Sequence, residues 1–283
     1  MSFSIAHLGP TGTYTETAAL LLANWLNKKQ ETLPLLCPYP SIAQTLQAVA
    51  QGKANLAVVP VENSIEGSVT MTLDTLWQLD NLRIQQAIDL PIVHAFLSHS
   101  KTLSTIQTVY SHPQALAQCQ GWLEKHLPQV QLIPTRSTTE ALQSLGDDET
   151  VGAISSQRAA ELYNLPVIAC PINDYPDNCT RFWILGLNES PGGSHTSLAF
   201  SVRANIPGAL VQPLQIFADR DINLSRIESR PTKRSLGDYL FFMDLEGDAN
   251  HETLQTALQL LKAHTETLKI FGSYAVFPAK SMA

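Results

Sequence analysis

The sequence predicts an α/β protein in two parts. Residues 1–188 form a domain with a mostly parallel sheet, and residues 195–283 form a smaller ferredoxin-like βαββαβ domain. Three observations predict it. Short apolar runs alternate with helix-period segments through residue 187, the rhythm of strands joined by crossover helices. A Gly/Pro/Ser-rich linker, residues 189–194, interrupts that rhythm. Beyond it the order is strand, helix, strand, strand, helix, strand.

Residues 4–8 open as a strand, 15–27 follow as a helix, and 33–39 are the second strand. Residues 41–52 are helical, because Ile42, Leu46, Val49 and Ala50 fall on one face. Residues 56–61 read as a buried strand and 69–79 as a helix. The stretch 84–97 is apolar and β-like, broken at Pro91. Residues 105–110 are a strand, and 113–127 a helix with proline in its first turn, where the missing N–H costs nothing. Then come a strand at 130–133, a helix at 138–145, a strand at 151–154, a helix at 156–163 and a closing strand at 182–187.

In the second part, Leu198, Phe200 and Val202 alternate with Ala199, Ser201 and Arg203, as on a half-buried strand. Residues 207–219 are a helix with Leu210, Leu214 and Phe217 on one face. Residues 223–229 and 239–245 are strands around a polar turn. A helix at 252–265 aligns Leu254, Ala257, Leu258 and Leu261, and 268–277 is a last strand in which Gly272 serves packing.

Composition narrows the function. Of 283 residues, 44% are hydrophobic and 15% charged, which excludes a disordered chain. The net charge is −7, carried wholly by residues 1–194, with 9 Lys/Arg against 16 Asp/Glu. That excludes a general nucleic-acid binder. No apolar run approaches the ~20 residues of a membrane span, and Met1-Ser2-Phe3-Ser4 has no signal-peptide pattern. Cys37, Cys119, Cys170 and Cys179 are scattered, as in a reduced cytoplasmic protein. No histidine cluster, G-x-G-x-x-G or Walker string is present, so no metal or cofactor is expected.

Four strand-to-loop junctions stand out: Gly9-Pro10-Thr11-Gly12-Thr13, Asn63-Ser64-Ile65-Glu66-Gly67-Ser68, Ser111-His112-Pro113-Gln114 and Ser137-Thr138-Thr139-Glu140. Each reads as a helix start rich in hydroxyl, amide or glycine groups, and such starts bind anions. An ordinary N-cap explains any one of them; four in one domain point to a small-anion cleft. Glu62 and Glu66 fit either paired general acid–base groups or simple helix-start acids. Cys179 has no histidine partner that sequence reveals.

Six strings, in order along the chain, resemble the prephenate dehydratase family. They are Gly9-Pro10-Thr11-Gly12-Thr13-Tyr14, Val59-Pro60-Val61-Glu62-Asn63-Ser64-Ile65-Glu66-Gly67, Ser111-His112-Pro113-Gln114-Ala115-Leu116, Asn178-Cys179-Thr180-Arg181-Phe182, Pro207-Gly208-Ala209-Leu210 and Glu228-Ser229-Arg230-Pro231. The last two resemble an ACT regulatory domain. The resemblance implies a two-lobed catalytic domain like that of periplasmic binding proteins, with the active site between the lobes. Lobe one is placed at 1–78 plus 179–188 and lobe two at 79–178. With no mutase or dehydrogenase segment in view, the monofunctional form is expected.

The implied reaction converts prephenate to phenylpyruvate, water and CO2 without a cofactor. The resemblance puts Thr180 at the leaving hydroxyl. Asn63, Ser64, Ser111, Ser137 and Thr138 are expected to contact carboxylate and carbonyl groups, and Gln118 to face the cleft. Arg181 keeps two roles open, gripping a carboxylate or tying the lobes together. Phe182, counted with the substrate site, starts an apolar strand and has packing as its competing role. Arg136 stands where some relatives carry an acid, which puts contacts there in question. Gly208, Ala209, Leu210, Glu228, Ser229, Arg230 and Pro231 are expected to bind phenylalanine as an allosteric ligand. A homodimer or homotetramer is implied, since ACT domains of this family pair side by side. Two rivals remain: the same chemistry on arogenate, and a non-enzymatic two-lobed amino-acid sensor.

Overall fold

The structure, a computed structural model, describes residues 3–30, 33–203 and 206–282. The N-terminal reading at Met1 and Ser2 lies outside the described residues.

The first sheet takes β1 (Ser4–Leu8), β2 (Leu35–Tyr39), β3 (Leu56–Asn63), the short β4 (Gly67–Ser68) and β5 (Arg83–Pro91). Helices α1 (Tyr14–Gln30), α2 (Ile42–Ala50) and α3 (Thr70–Gln78) join them. The chain then crosses to a second sheet of β6 (His94–Leu97), β7 (Thr108–Ser111), β8 (Gln131–Pro134), β9 (Val151–Ser156) and β10 (Val167–Ala169). Helices α4 (Pro113–Ala117), α5 (Gln120–His126) and α6 (Gln157–Leu162) pack there. It returns through β11 (Cys179–Gly186), which lies antiparallel between β3 and β5 at the centre of the first sheet. The two crossings are adjacent: the Ile92 N–H donates to the Asn178 carbonyl at 2.8 Å.

The last domain is β12 (His195–Ser201), α7 (Val211–Ala218), β13 (Leu224–Pro231), β14 (Tyr239–Glu246), α8 (Glu252–His264) and β15 (Thr267–Tyr274), in sheet order β13-β14-β12-β15. Helices α7 and α8 cover one face, over Leu198, Phe200, Met243 and Leu245. The other face, with Ala199, Leu240, Phe242, Phe271 and Tyr274, shares a core with α2, α3 and Trp183 of the first sheet. The two domains therefore bury apolar surface against each other.

Several sequence readings change. The run 268–277 is two strands. After β15 the chain turns at Ala275, and β16 (Val276–Pro278) joins the first sheet parallel to β5. Ala279 and Met282 then bury themselves against α1, so residues 276–282 belong to lobe one and not to the regulatory domain. Strand β5 also stays in the first sheet, which moves the first crossing from residue 79 to Ile92–Val93. The expected helix at 113–127 breaks into α4 and α5 around Cys119. The segment expected as a helix at 138–145 is a 3-10 turn, Glu140–Ser144. Gly272 does serve packing: a Cβ there would collide with the Ser190 hydroxyl of the linker.

Candidate active site

The lobes flank a cleft of about 980 Å³. Its floor is the start of β11, where Thr180 and Phe182 point into it. Thr180 is buried, and its Oγ1 accepts the Asn63 side-chain N–H at 2.9 Å. With that lone pair occupied, its own O–H remains to donate to a ligand.

Asn63 is held rigidly. Its Oδ1 accepts the N–H groups of Ile65 and Glu66, closing the turn between β3 and β4. Its amide nitrogen also reaches Asn178 Oδ1 at 2.8 Å. Asn178 donates to Gln118 Oε1 at 2.7 Å, and His94 Nε2 lies 3.0 Å from the same oxygen. Since Oε1 only accepts, Nε2 carries the proton and Nδ1 faces the Tyr14 hydroxyl at 3.2 Å. Burial lowers the His94 pKa, against the opposing pull of Gln118, and burial raises that of Tyr14. The network that positions Thr180 is thus neutral, and it spans both lobes.

Ser137 and Thr138 line the cleft as expected, and the Ser137 hydroxyl accepts the Glu140 N–H at 2.9 Å. Other expectations are corrected. Ser111 is fully buried and donates to the Ile154 carbonyl, stitching β7 to β9. Ser64 accepts the Cys179 N–H at 3.0 Å and so anchors the loop before Thr180. Neither lines the cleft. Arg181 points away from it, as strand alternation requires, and grips Asp89 with two bonds of 2.7 and 2.8 Å. Phe182 is both floor and core, packed among α1 side chains.

The helix-start argument also weakens. Asn63–Ser68 forms the turn of a hairpin, and α4 and the 3-10 turn span five residues each, too short for a developed dipole. Side-chain amides and hydroxyls supply the donors instead. The sequence reading missed Tyr14 and His94 and gave Asn178 no role. His94 sat in the apolar stretch after Pro91, and a polar side chain between Val93 and Ala95 was the available signal.

The expected effector residues divide between two faces. Gly208, at φ +82° in a backbone region that suits glycine, opens the turn with Ala209 and Leu210 before α7. Ser229 sits opposite Phe241 on the helix side, whereas Glu228 and Arg230 sit opposite Phe242 and Leu240 on the catalytic side. Arg230 is committed to Asp74 of α3 by two 3.0 Å bonds, which takes it out of the ligand set. Pro231 ends β13 and is exposed.

Residues 5–190 match the family model described as prephenate dehydratase, and residues 196–262 match that of the ACT domain. The bifunctional chorismate mutase/prephenate dehydratase of Aquifex aeolicus is 42% identical over 272 residues, 95% of this chain and 73% of its own length. The prephenate dehydratase of Methanocaldococcus jannaschii is 37% identical over 281 residues, 98% of this chain and 100% of its own. A crystal structure of prephenate dehydratase from Arthrobacter aurescens in complex with L-Phe superposes with a TM-score of 0.84 at 34% identity, covering 96% of this chain and 90% of that one.

Proposed function

The chain belongs to the prephenate dehydratase family, and from that premise we propose how its own residues run the reaction. Prephenate loses its ring carboxylate as CO2, and the C–C bonding pair moves into the ring. The C–O bond at the opposite ring carbon breaks, and hydroxide takes one proton to leave as water. Phenylpyruvate remains, which makes the enzyme a carbon–oxygen lyase.

The observation that carries the reading is the cleft-lining Thr180 hydroxyl, whose oxygen accepts from Asn63, which leaves its own O–H to donate to the substrate. As charge builds on the leaving oxygen this hydrogen bond strengthens, so it acts mainly in the transition state. The apolar floor at Phe182 and Ile92 suits the ring and leaves its carboxylate poorly solvated, which favours its loss as neutral CO2. The neutral Asn63–Asn178–Gln118–His94 network orients Thr180 and adds no anion beside a doubly charged substrate.

At the ACT domain we place phenylalanine at the turn opened by Gly208, on the helix side of the sheet, the side to which Ser229 of edge strand β13 also belongs. The open edge of β13 and the exposed Ile227 suit side-by-side pairing of two ACT domains, hence a dimer or tetramer. Four unpaired thiols fit a cytoplasmic enzyme. The decisive experiment is phenylpyruvate formation from prephenate with the purified chain, with arogenate assayed in parallel. Turnover of prephenate is expected; absence of product from either compound would leave the sensor reading standing.

A further inference from the structure

We propose that Arg136 selects the doubly anionic substrate by holding its side-chain carboxylate at the cleft mouth, an inference that rests on the reading above. Among the described residues lining the cleft, Arg136 is the one lysine or arginine. The other charged lining groups are Glu66 and Glu140, and burial lowers the pKa of both lining histidines, His94 and His112, the latter against the opposing pull of Glu66. A ligand of charge −2 therefore enters a cleft whose fixed charges oppose it, within a part of the chain that carries the whole net −7.

The guanidinium is available for that task. Its side chain is 95% exposed, and its one ionic neighbour is Glu140, at 3.8 Å from Nε. That separation exceeds a good hydrogen bond. Glu140 is itself engaged, since its Oε2 accepts the Arg136 backbone N–H at 2.7 Å. This bond fixes the backbone of Arg136 beside Ser137 and leaves the side chain to swing. Arg136, Ser137 and Thr138 are consecutive and all line the cleft, so the guanidinium, turned inward, and the two hydroxyls can together make a receptor for a carboxylate: a planar fork for both oxygens, flanked by neutral donors. The contact lies away from Thr180 and does not change as the C–O bond breaks. It binds ground state and transition state alike, and its loss appears in KM.

The same contact discriminates. Arogenate carries an ammonium beside that carboxylate, so its net charge is −1 and its attraction to Arg136 is weaker. Arg136→Gln is expected to raise KM for prephenate ~10-fold with kcat within ~2-fold, and to lower the prephenate-to-arogenate ratio of kcat/KM ~3-fold or more. Arg136→Lys keeps the charge and should recover much of the loss. Added salt should raise KM in the wild type and have little effect in Arg136→Gln, because the pair is exposed and screened. If prephenate is turned over and Arg136→Gln keeps the wild-type KM and salt response, the role of Arg136 is overturned while the dehydratase reading stands. If the variant loses kcat at constant KM, the residue acts in the chemistry and not in selection. If the wild type turns over neither compound, the parent reading fails and this inference with it.

Discussion

The two faces of strand β11 are built from opposite chemistry. On the cleft face stand Thr180 and Phe182, and every polar contact that orients Thr180 is between neutral groups. On the other face, Arg181 grips Asp89, and Trp183 lies under the Arg226 guanidinium, 5.4 Å from ring centroid. Arg226 pairs with buried Asp244 at 2.7 Å and reaches Ser68 at 3.3 Å. Arg230 and Lys233 share Asp74, and Lys269 binds Asp80. Charges that would trap or repel a dianion in the cleft serve on the reverse: Arg181–Asp89 and Arg226–Asp244 each join strands within a domain, and Arg230, Lys233 and Lys269 register one domain on the other. Such pairs are directional but add little net stability, because desolvation offsets their attraction. One strand thus connects a reaction site to a regulatory interface by alternation alone.

The largest expected effect breaks the charged face. Arg226→Ala leaves Asp244 buried and unpaired, and should cost ~3–5 kcal/mol of unfolding free energy in a denaturant titration. Arg226→Met combined with Asp244→Leu should recover most of it. A single variant with wild-type stability would show that the pair is not buried in solution. The neutral face breaks differently. Thr180→Ala should lower kcat ~10²–10³-fold with KM and melting temperature nearly unchanged. A wild-type kcat would remove Thr180 from the mechanism.

Next in size is regulation. Gly208→Val places a β-branched residue at φ +82°, in a region closed to it, and crowds the proposed carboxylate site. Inhibition by phenylalanine should shift to at least ~10-fold higher concentration, a loss of about 1.4 kcal/mol of effector binding. An unchanged response places the effector site elsewhere. Deleting residues 195–283 is a poorer test, because β16 and Met282 would leave the catalytic sheet and core with them. Smaller still, Arg181→Gln should cost about 1 kcal/mol, since the Asp89 pair is partly exposed, and should leave kcat within ~3-fold. A fall in kcat like that of Thr180→Ala would mean that the two faces are not separate.

Much of this was legible in the sequence, and the failures have local causes. Alternation and apolar faces marked nearly every element, because the sheets are covered on both sides. Thr180 and Asn63 lay within the quoted strings, and Gln118, expected to face the cleft from its spacing to Ser111, does line it. The orientation of Arg181 was legible in principle. Beginning the strand at Phe182 left Thr180 and Arg181 in a loop, where the period of two is not applied; the ladder to Asn63 and Leu90 extends it to Cys179. Ser111 and Ser64 have the residue type for a site, but their partners, Ile154 and Cys179, are remote in sequence. The second role of 268–277 was hidden likewise, because the partner of β16 lies nearly two hundred residues earlier.

The smallest effect tests the neutrality of the cleft network. Burial lowers the pKa of His94 below its ordinary 6.5. In the unfolded chain this imidazole takes up a proton near 6.5, whereas the folded chain resists until a lower pH. Between those two values the unfolded state holds more protons, so unfolding free energy falls as pH falls. The loss begins near pH 6.5 and ends at the lower folded pKa; above pH 6.5 the neutral ring is unopposed in both states. His7, also lowered by burial, contributes in the same direction. His94→Gln removes one of these groups. The wild type should lose more stability than His94→Gln between about pH 7.5 and pH 5.5, and the differential stays under ~1.4 kcal/mol per pH unit, the limit for one proton. The readout is urea-derived stability at several pH values for both proteins. A difference that changes in the opposite sense, with the wild type gaining on His94→Gln as pH falls, would mean that folding raises the pKa and that His94 carries its proton near neutral pH. The cleft network would then be cationic, and the contrast between the two faces of β11 would be lost.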